Sequence, residues 1–292
     1  MSCTWTATRK YNDYILLQGR GDTGVLQDMY RPTRRGTKVA GESVYIKSVD
    51  PANMTVGTTS PCSTGYLAGN QCNSQEALNK FLPFIKQCFD DCQWEDIQSD
   101  GAMMEWGQGM SVAALNTLMP LIYADMVANG SRLFSDATPT GAQIATEIIQ
   151  AIHNIAAEGG GPGAVVLDLT YSSETIQAFG ALYQPMDLIT LNYSYGPGRP
   201  LGKLLGYNVY VTKSNLIDIA PTPDEQVDAI VFARKGFAYA HVGEGVGFRT
   251  ATQAVDGTHS IVLSGCVGYG TIGIYDGITD SPLVWYIARA DS

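Results

Sequence analysis

Residues 100–129 read DGAMMEWGQGMSVAALNTLMPLIYADMVAN, and they predict the longest helix of the chain. Its apolar side chains recur at steps of three and four residues, the period of a helix with one buried face. At about 1.5 Å per residue this helix is roughly 40 Å long, so we expect it to run across the molecule. Pro120 predicts a kink or a break after Met119, and Gly130 predicts the end of the helix. The predicted buried face consists of Met103, Trp106, Met110, Ala113, Leu118, Leu121, Ile122 and Met126.

Charge is unevenly distributed along the chain, whose 292 residues are 45% hydrophobic and carry a net charge of −10. Residues 1–50 hold eight of the 18 basic and five of the 28 acidic side chains, so the rest of the chain carries −13. An acidic body should repel nucleic acid, whereas the amino-terminal part could lie against an acidic neighbour. No apolar run approaches the roughly 18 to 20 residues that cross a bilayer, and we expect neither membrane insertion nor a cleaved secretion signal.

Two segments precede the long helix and differ in character. Residues 18–73 are polar, contain no convincing helix, and offer strand candidates at 43–49 and 54–59. Such a segment cannot bury an apolar face by itself, so we expect it to pack on something outside its own subunit. Residues 77–94 then predict a second helix, interrupted at Pro83 and preceded by a capping box of Asn73 and Glu76.

The chain after the long helix predicts a further helix and then mostly strands. Thr138 and Pro139 have the residue types of a helix start, and the glycine-rich run 159–163 ends that helix after Ala157. A helix at 172–180 lies among the strands that follow, and turns are predicted at Asp256-Gly257 and at Gly268. This order of elements predicts an α+β fold. The predicted strands are 164–169, 188–191, 207–212, 229–233, 247–253, 260–267, 270–275 and 283–288.

No motif in the sequence predicts catalysis or metal binding. Gly19, Gly21 and Gly24 have the spacing of a dinucleotide-binding loop, but Arg31-Pro32 follows too soon for the helix that would hold a pyrophosphate. Cys62, Cys72, Cys88 and Cys92 lack the spacing of a zinc site, and Cys88 and Cys92 are better interpreted as buried thiols, although Cys62 and Cys72 could form a disulfide in an oxidising environment. The histidines, His153, His241 and His259, form no ligand pair.

Three later stretches, taken in order, are similar to a known family. They are RPLGKLLGYNVYVTKSNL at 199–216, DAIVFARKGFAYA at 228–240 and YGTIGIYDG at 269–277. Together with the long helix and the basic polar segment before it, they resemble tailed-bacteriophage major capsid proteins over about 138–289. The resemblance implies the Hong Kong 97-like capsid fold, an α+β fold with an amino-terminal arm, an extended hairpin loop, a spine helix in a peripheral domain, and an axial domain around a mixed sheet.

Carried over by position, the resemblance divides the chain into five segments. The arm would be 1–17, the extended loop 18–72, the helical part of the peripheral domain 73–134, the axial domain 135–245, and the carboxy-terminal strands of the peripheral domain 246–292. The spine would be 101–129, although the helix predicted near 74–97 competes for that role. In the extended loop, Arg31, Arg34, Arg35 and Lys38 would contact acidic neighbouring subunits.

The resemblance also implies a function without catalysis. The protein would be a major capsid protein whose hexamers and pentamers form an icosahedral phage head, enclosing double-stranded DNA without sequence-specific binding. It would need no cofactor and no membrane, would be made in the host cytoplasm, and would end in the virion with scaffold, portal and decoration proteins as partners. One alternative is an encapsulin-like compartment that holds cargo enzyme. An alternative of another class is a nucleotide-binding enzyme that uses the glycine loop at 19–24.

Overall fold

The structure is a computed structural model, and it describes most of the chain outside several connecting segments. The ranges described are 5–11, 23–29, 38–40, 43–49, 73–98, 102–135, 139–182, 189–191, 200–212, 225–241, 246–253, 258–272 and 281–290.

Helices and strands both occur throughout these ranges. The helices are α1 (Thr23–Asp28), α2 (Asp91–Ile97), α3 (Ala102–Asn129), α4 (Gly141–Ala157) and α5 (Ser172–Leu182). The strands are β1 (Trp5–Tyr11), β2 (Lys38–Ala40), β3 (Ser43–Val49), β4 (Asn73–Phe81), β5 (Phe84–Phe89), β6 (Gly130–Ser135), β7 (Ala164–Leu167), β8 (Ile189–Leu191), β9 (Gly202–Leu204), β10 (Tyr207–Val211), β11 (Glu225–Phe232), β12 (Phe237–His241), β13 (Gly247–Gln253), β14 (His259–Ser264), β15 (Val267–Thr271) and β16 (Ser281–Ala290).

The strands form three sheets. A seven-stranded sheet has the order β6-β16-β11-β7-β10-β9-β8, a five-stranded sheet the order β12-β15-β4-β3-β2, and a four-stranded sheet the order β1-β13-β14-β5. The seven-stranded sheet is mixed, because β7 pairs in parallel with β10 and β16 in parallel with β6, whereas its other ladders are antiparallel. The last strand, β16, belongs to the same sheet as β7 to β11, and it pairs with β11 and β6.

The seven-stranded sheet lies between α3 on one face and α4 with α5 on the other. Alternate side chains of β7 enter the two hydrophobic clusters, because successive residues of a strand point to opposite faces. Val166 packs in the cluster that contains α3, whereas Val165 and Leu167 pack in the cluster that contains α4 and α5. All four residues of β7 are therefore buried, as expected for a strand covered on both faces.

Helix α3 packs against strands of all three sheets, including β14, β15 and β16. The predicted burial is confirmed for Met110, Leu118, Ile122 and Met126 and wrong for Trp106, Ala113 and Leu121, which are exposed. The side chain of Met103 lies outside the described part of the structure. The buried face is broader than the predicted stripe because sheets approach the helix from more than one side. The buried apolar residues of α3 are Met110, Ala114, Leu115, Leu118, Met119, Ile122, Tyr123, Met126 and Val127.

The predicted break at Pro120 is wrong, since α3 is one helix of 28 residues with Pro120 inside it. The carbonyl that loses its donor belongs to Asn116, an exposed residue, where water can replace the missing bond. The stop at Gly130 is confirmed, and a Cβ at that position would lie 2.4 Å from the Met126 carbonyl oxygen. By length and hydropathy alone Glu105–Asn129 could cross a membrane, but 56% of that window is buried inside the protein, as in an ordinary core helix.

The helix predicted over 77–94 is wrong. Residues 73–89 form β4 and β5, which pair with different sheets, and Pro83 lies between them. The helical spacing did not predict the structure because β4 pairs with β15 and β5 pairs with β14. Such tertiary pairing overrides local preference. The capping box lies further along, where Asp90 Oδ1 accepts a 2.7 Å hydrogen bond from the Gln93 amide at the start of α2.

Smaller corrections concern element ends. Helix α1 lies in the segment predicted to contain no helix, and the turn expected at Gly268 falls before Val267, since Gly268 is inside β15. The cap of α4 is Thr140, not Thr138, because only Thr140 has Gln143 three residues later to return its hydrogen bond. The strands predicted at 43–49 and 247–253 are confirmed, whereas the candidate at 54–59 lies outside the described residues.

Candidate assembly surface

The structure describes one of the four predicted contact residues, Lys38. Arg31, Arg34 and Arg35 lie outside the described residues. Lys38 is the first residue of β2, where it pairs with Tyr45 of β3 at the edge of the five-stranded sheet. Their contact with a neighbouring subunit therefore stays a prediction.

Strands β2 and β3 and residues 73–78 of β4 form a three-stranded antiparallel extension, which we call the arm and which is separate from the amino-terminal arm predicted at 1–17. β3 pairs with β4 along seven residues, from Val49 opposite Asn73 to Ser43 opposite Asn79. β4 pairs with β15 only at its last three residues, 79–81. Among the described strands, β3 is thus the single partner of residues 73–78, so the arm begins where β4 separates from β15.

The two residues at the base of the arm are held on opposite faces of β4. Leu78 is 1% exposed and packs with Ala238, Ala240 and Ile272. The next residue, Asn79, donates a 2.7 Å hydrogen bond from Nδ2 to Asp125 Oδ1 on α3. The base of the arm is therefore attached to the sheet through an apolar contact and to the long helix through a polar one.

Asp125 joins α3 to both strands at this point. Its Oδ2 accepts hydrogen bonds from the Thr271 amide at 2.7 Å and from Thr271 Oγ1 at 2.9 Å. Burial and the nearby Asp125 carboxylate raise the pKa of Tyr269. The sequence analysis missed this cluster, although one signal was present: Asp125 is the single charged residue between Glu105 and Arg132.

The outward side of α3 is uncharged, in contrast to the usual charged outer face of a surface helix. Trp106 and Leu121 are 40% and 42% exposed there. Between them the exposed residues are small or neutral, and no charged side chain lies between Glu105 and Asp125. We call this the outer face of α3; it consists of Trp106, Gly109, Ala113, Asn116, Thr117, Leu121, Ala124 and Ala128. An uncharged exposed strip of this kind is typical of a protein contact surface.

A second apolar patch lies at the connection between β4 and β5. Leu82 is 57% exposed and Phe84 is 68% exposed. β5 is also an edge strand of the four-stranded sheet, so its outer edge offers backbone groups for pairing. Most of its side chains are exposed, whereas Phe89 is buried and packs edge-on against Trp106 of α3 with ring centroids 5.2 Å apart.

Charged side chains are also buried at one end of the seven-stranded sheet. Arg289 near the end of β16 lies 3.6 Å from the Asp228 carboxylate on β11. The same guanidinium lies over the Tyr171 ring at 4.8 Å and donates a 2.8 Å hydrogen bond to its hydroxyl. Asp168 follows β7 at this end and accepts a hydrogen bond from the Thr170 amide. These groups fix the ends of the strands and leave little charge exposed there.

Helix α1 fills part of the core and does not resemble the start of a phosphate-binding helix. Gly24 lies inside this six-residue helix, and Val25, Leu26 and Met29 are fully buried. At its end, Asp28 Oδ2 accepts 2.7 Å hydrogen bonds from Asn208 Nδ2 and from the Tyr210 hydroxyl. Burial raises the pKa of Tyr210, and the adjacent carboxylate raises it further. Gly19 and Gly21 lie outside the described residues.

The remaining candidate groups do not assemble into a site within the described ranges. No group of three His, Cys, Asp or Glu side chains there could hold a metal ion. Cys88 is exposed on β5, so its predicted burial is wrong. Burial raises the pKa of the partly buried Cys266 thiol, and nearby Lys80 partly offsets that rise. His259 stacks on Trp94 with centroids 4.7 Å apart, a structural contact.

One apolar groove lies beside β9 and α5. Phe179, Leu201 and Val209 are among its lining residues, and its cavity volume is about 10 Å³. That volume holds about one water molecule, so the groove cannot enclose a small organic ligand.

Comparison with known proteins identifies the fold. No protein-family model matches the sequence, and no curated protein matches it. Solved structures do: the capsid structure of Cyanophage P-SCSP1u is 14% identical with a TM-score of 0.57, covering 98% of this chain and 90% of that one. The chain has a capsid-protein fold.

Two further structures agree with this assignment. The virus-like particle from Pyrococcus furiosus is 11% identical with a TM-score of 0.56, covering 94% of each chain. A structure from Mycobacterium phage Adephagia is 10% identical with a TM-score of 0.54, covering 97% of this chain and 95% of that one. The predicted α+β capsid fold is confirmed.

Proposed function

We propose that this protein is a major capsid protein, a structural subunit without catalytic activity, whose copies assemble into an icosahedral phage head around double-stranded DNA. The observation that carries the proposal is the capsid-protein fold across nearly the whole chain. Hexamers and pentamers of this subunit would form the shell. The protein would be synthesised in the host cytoplasm and would then be part of the virion. Scaffold, portal and decoration proteins are the further partners of such a shell.

Three surface features support self-assembly. The arm leaves the body with one described strand partner, the outer face of α3 is uncharged, and Leu82 with Phe84 exposes apolar area. Each is unfavourable on an isolated subunit and becomes favourable when a second copy covers it. Because each subunit makes several contacts at once, individually weak contacts can hold a shell together.

The division into an amino-terminal arm at 1–17, an extended loop, a peripheral domain and an axial domain is part of the proposal. We assign 18–72 to the extended loop, with α1 as its anchor in the body, and we assign β16 to the axial sheet with which it pairs. We assign the spine to α3, since residues 73–89 form strands and no longer compete for that role.

The basic residues of the extended loop belong to the same proposal. Arg31, Arg34, Arg35 and Lys38 contact the acidic surface of a neighbour. Net charges of +3 for residues 1–50 and −13 for the remainder are consistent with that contact.

The experiment that tests the proposal is sedimentation with negative-stain microscopy of the purified protein over a range of protein concentration, salt and crowding agent. We expect closed particles of megadalton mass. A protein that stays monomeric under all of these conditions, and also when expressed with neighbouring structural proteins of its source, would contradict the proposal.

Charge reversal sharpens the same experiment. The quadruple variant carries Arg31→Glu, Arg34→Glu, Arg35→Glu and Lys38→Glu. It should fold normally and assemble poorly, because negative charges would then face the acidic surface of the neighbour. The matched control is Arg234→Glu with Lys235→Glu, which reverses two exposed charges in the turn between β11 and β12. Normal assembly by the quadruple variant would remove these residues from the contact while leaving the shell proposal intact.

A compartment for cargo protein is the second candidate, favoured by the likeness to the virus-like particle. The contents of the particles separate the two functions. Nuclease-protected DNA in particles from infected cells supports the phage head, whereas a stoichiometric enclosed protein without DNA supports the compartment.

A further inference from the structure

The Thr271 amide occupies the position at which the ladder between β4 and β15 would continue. Successive amides of a strand point to opposite edges. The Ile272 amide donates to the Gly236 carbonyl on the β12 side, so the Thr271 amide points to the β4 side. The last residue of β15 that pairs with β4 is Tyr269, opposite Asn79. The next acceptor on that edge is therefore not a β4 carbonyl but the Asp125 carboxylate, 2.7 Å away.

The Asp125 carboxylate thus satisfies a backbone donor that would otherwise lose its partner where the ladder between β4 and β15 ends. The other oxygen of the same carboxylate holds Asn79, the residue of β4 at which the ladder stops. Asp125 thus ends the ladder and attaches the departing strand to α3 at one point. On the opposite face of β4, Leu78 is buried against Ala238, Ala240 and Ile272 and holds the strand at the same place.

We propose that Asp125 is the positioning residue of the arm: by accepting from Thr271 and Asn79 together, it fixes the direction in which the arm leaves the body toward a second copy. This rests on the proposed assembly function. The attachment is at the surface, with Asn79 itself exposed, so it contributes to geometry more than to the stability of the fold. Loss of the attachment therefore impairs assembly while the subunit stays folded.

The test exchanges the two polar groups. Asn79→Asp places a second carboxylate against Asp125 and replaces attraction by repulsion. Asp125→Asn leaves one side-chain oxygen that can accept a hydrogen bond. The new NH2 group replaces the other oxygen, so it faces the donor of either Thr271 or Asn79 and forms no hydrogen bond with it. The double variant, Asn79→Asp with Asp125→Asn, restores a matched set, because the new amide at position 125 can accept from Thr271 and donate to the new carboxylate at position 79.

Each variant is measured by thermal unfolding, by hydrogen exchange of the peptides that contain residues 73–81 and 265–272, and by sedimentation under assembling conditions. For Asn79→Asp we expect an unchanged unfolding midpoint, faster exchange in those two peptides, and a protein concentration for assembly raised about tenfold or more. The double variant should recover both exchange protection and assembly. The matched control is Gln150→Glu, which adds the same charge on the exposed side of α4. There Gln150 Nε2 donates to Asn154 Oδ1, and no carboxylate is its partner, so this variant should assemble normally.

Normal assembly by a folded Asn79→Asp variant would overturn the inference, as would a double variant that folds but recovers neither property. If the unmodified protein itself never assembles, the proposed function fails, yet hydrogen exchange still decides whether Asp125 holds the base of the arm. Unchanged exchange in the two peptides of Asn79→Asp would then reject the positioning role.

Discussion

Strands β7 and β4 differ in what surrounds them. β7 has a strand on each edge and helices over both faces, and its four residues are buried. The first six residues of β4 have β3 on one edge and no other described strand partner. The seven-stranded sheet is therefore covered by other parts of the chain, whereas within the described residues the arm has a free strand edge. Changes in the sheet should alter folding, and changes at the exposed surfaces should alter assembly.

The largest expected effect is at Gly163, immediately before β7. A Cβ there would lie 2.1 Å from the Phe232 carbonyl oxygen and 2.6 Å from the Arg234 amide nitrogen, so the backbone would have to move. Gly163→Ala should lower the free energy of unfolding by about 1–3 kcal/mol, measured by urea unfolding. Gly161→Ala is the matched control, because a Cβ at Gly161 meets nothing within 4 Å. Equal stability of the two variants would mean that the chain around the start of β7 is less tightly packed than described.

A smaller effect is expected from Tyr207 on β10. Its hydroxyl is buried and has no hydrogen-bond partner among the described residues, and burial raises its pKa to about 12. The folded protein therefore retains this proton at pH values where the unfolded chain loses it, and stability should fall as the pH rises from about 10 to 12.

Tyr207→Phe tests this expectation by removing the hydroxyl. Near pH 7 it should change the unfolding free energy by less than about 1 kcal/mol, and above about pH 10 it should flatten the loss of stability. Tyr210→Phe on the same strand removes a hydroxyl that does have a partner, Asp28, and should be destabilising at neutral pH. A Tyr207→Phe variant with an unaltered alkaline profile would show that this tyrosine does not carry the pH dependence.

The smallest effect on folding is expected on the outer face of α3. Leu121→Lys keeps a residue with good helix propensity at a position that is 42% exposed, so stability should change by about 0.5 kcal/mol or less. Assembly, measured by sedimentation, should nevertheless fall because the charge must be buried against a neighbour. Gln150→Lys on the exposed side of α4 is the control. Unimpaired assembly by Leu121→Lys would exclude this face from the contacts between subunits.

Sequence patterns predicted the parts of the fold whose burial is determined locally. The long helix, its end at Gly130, the helix ending at Ala157 and the buried strand at 164–167 all follow from periodicity and turn residues. The segment 77–94 could not be predicted in this way, because Pro83 separates two strands whose partners, β14 and β15, lie about 180 residues later in the chain. Local spacing contains no information on such partners.

The candidate surface was predictable to a smaller extent. The basic residues of the extended loop could be selected from charge, but the base of the arm depends on hydrogen bonds between residues 79, 125 and 271. Only the isolated charge of Asp125 within α3 indicated a special position. The exposure of Leu121 and Trp106 was missed because both fit the helical period of the buried face.

The position of β16 has a consequence for the timing of synthesis. This strand lies between β6 and β11, and it meets β6 across about 150 residues of chain. Translation must therefore reach residue 290 before β6 acquires its neighbour and the seven-stranded sheet closes. A nascent chain that stops short of β16 leaves the facing edges of β6 and β11 unpaired, so it cannot complete the core on either face of this sheet.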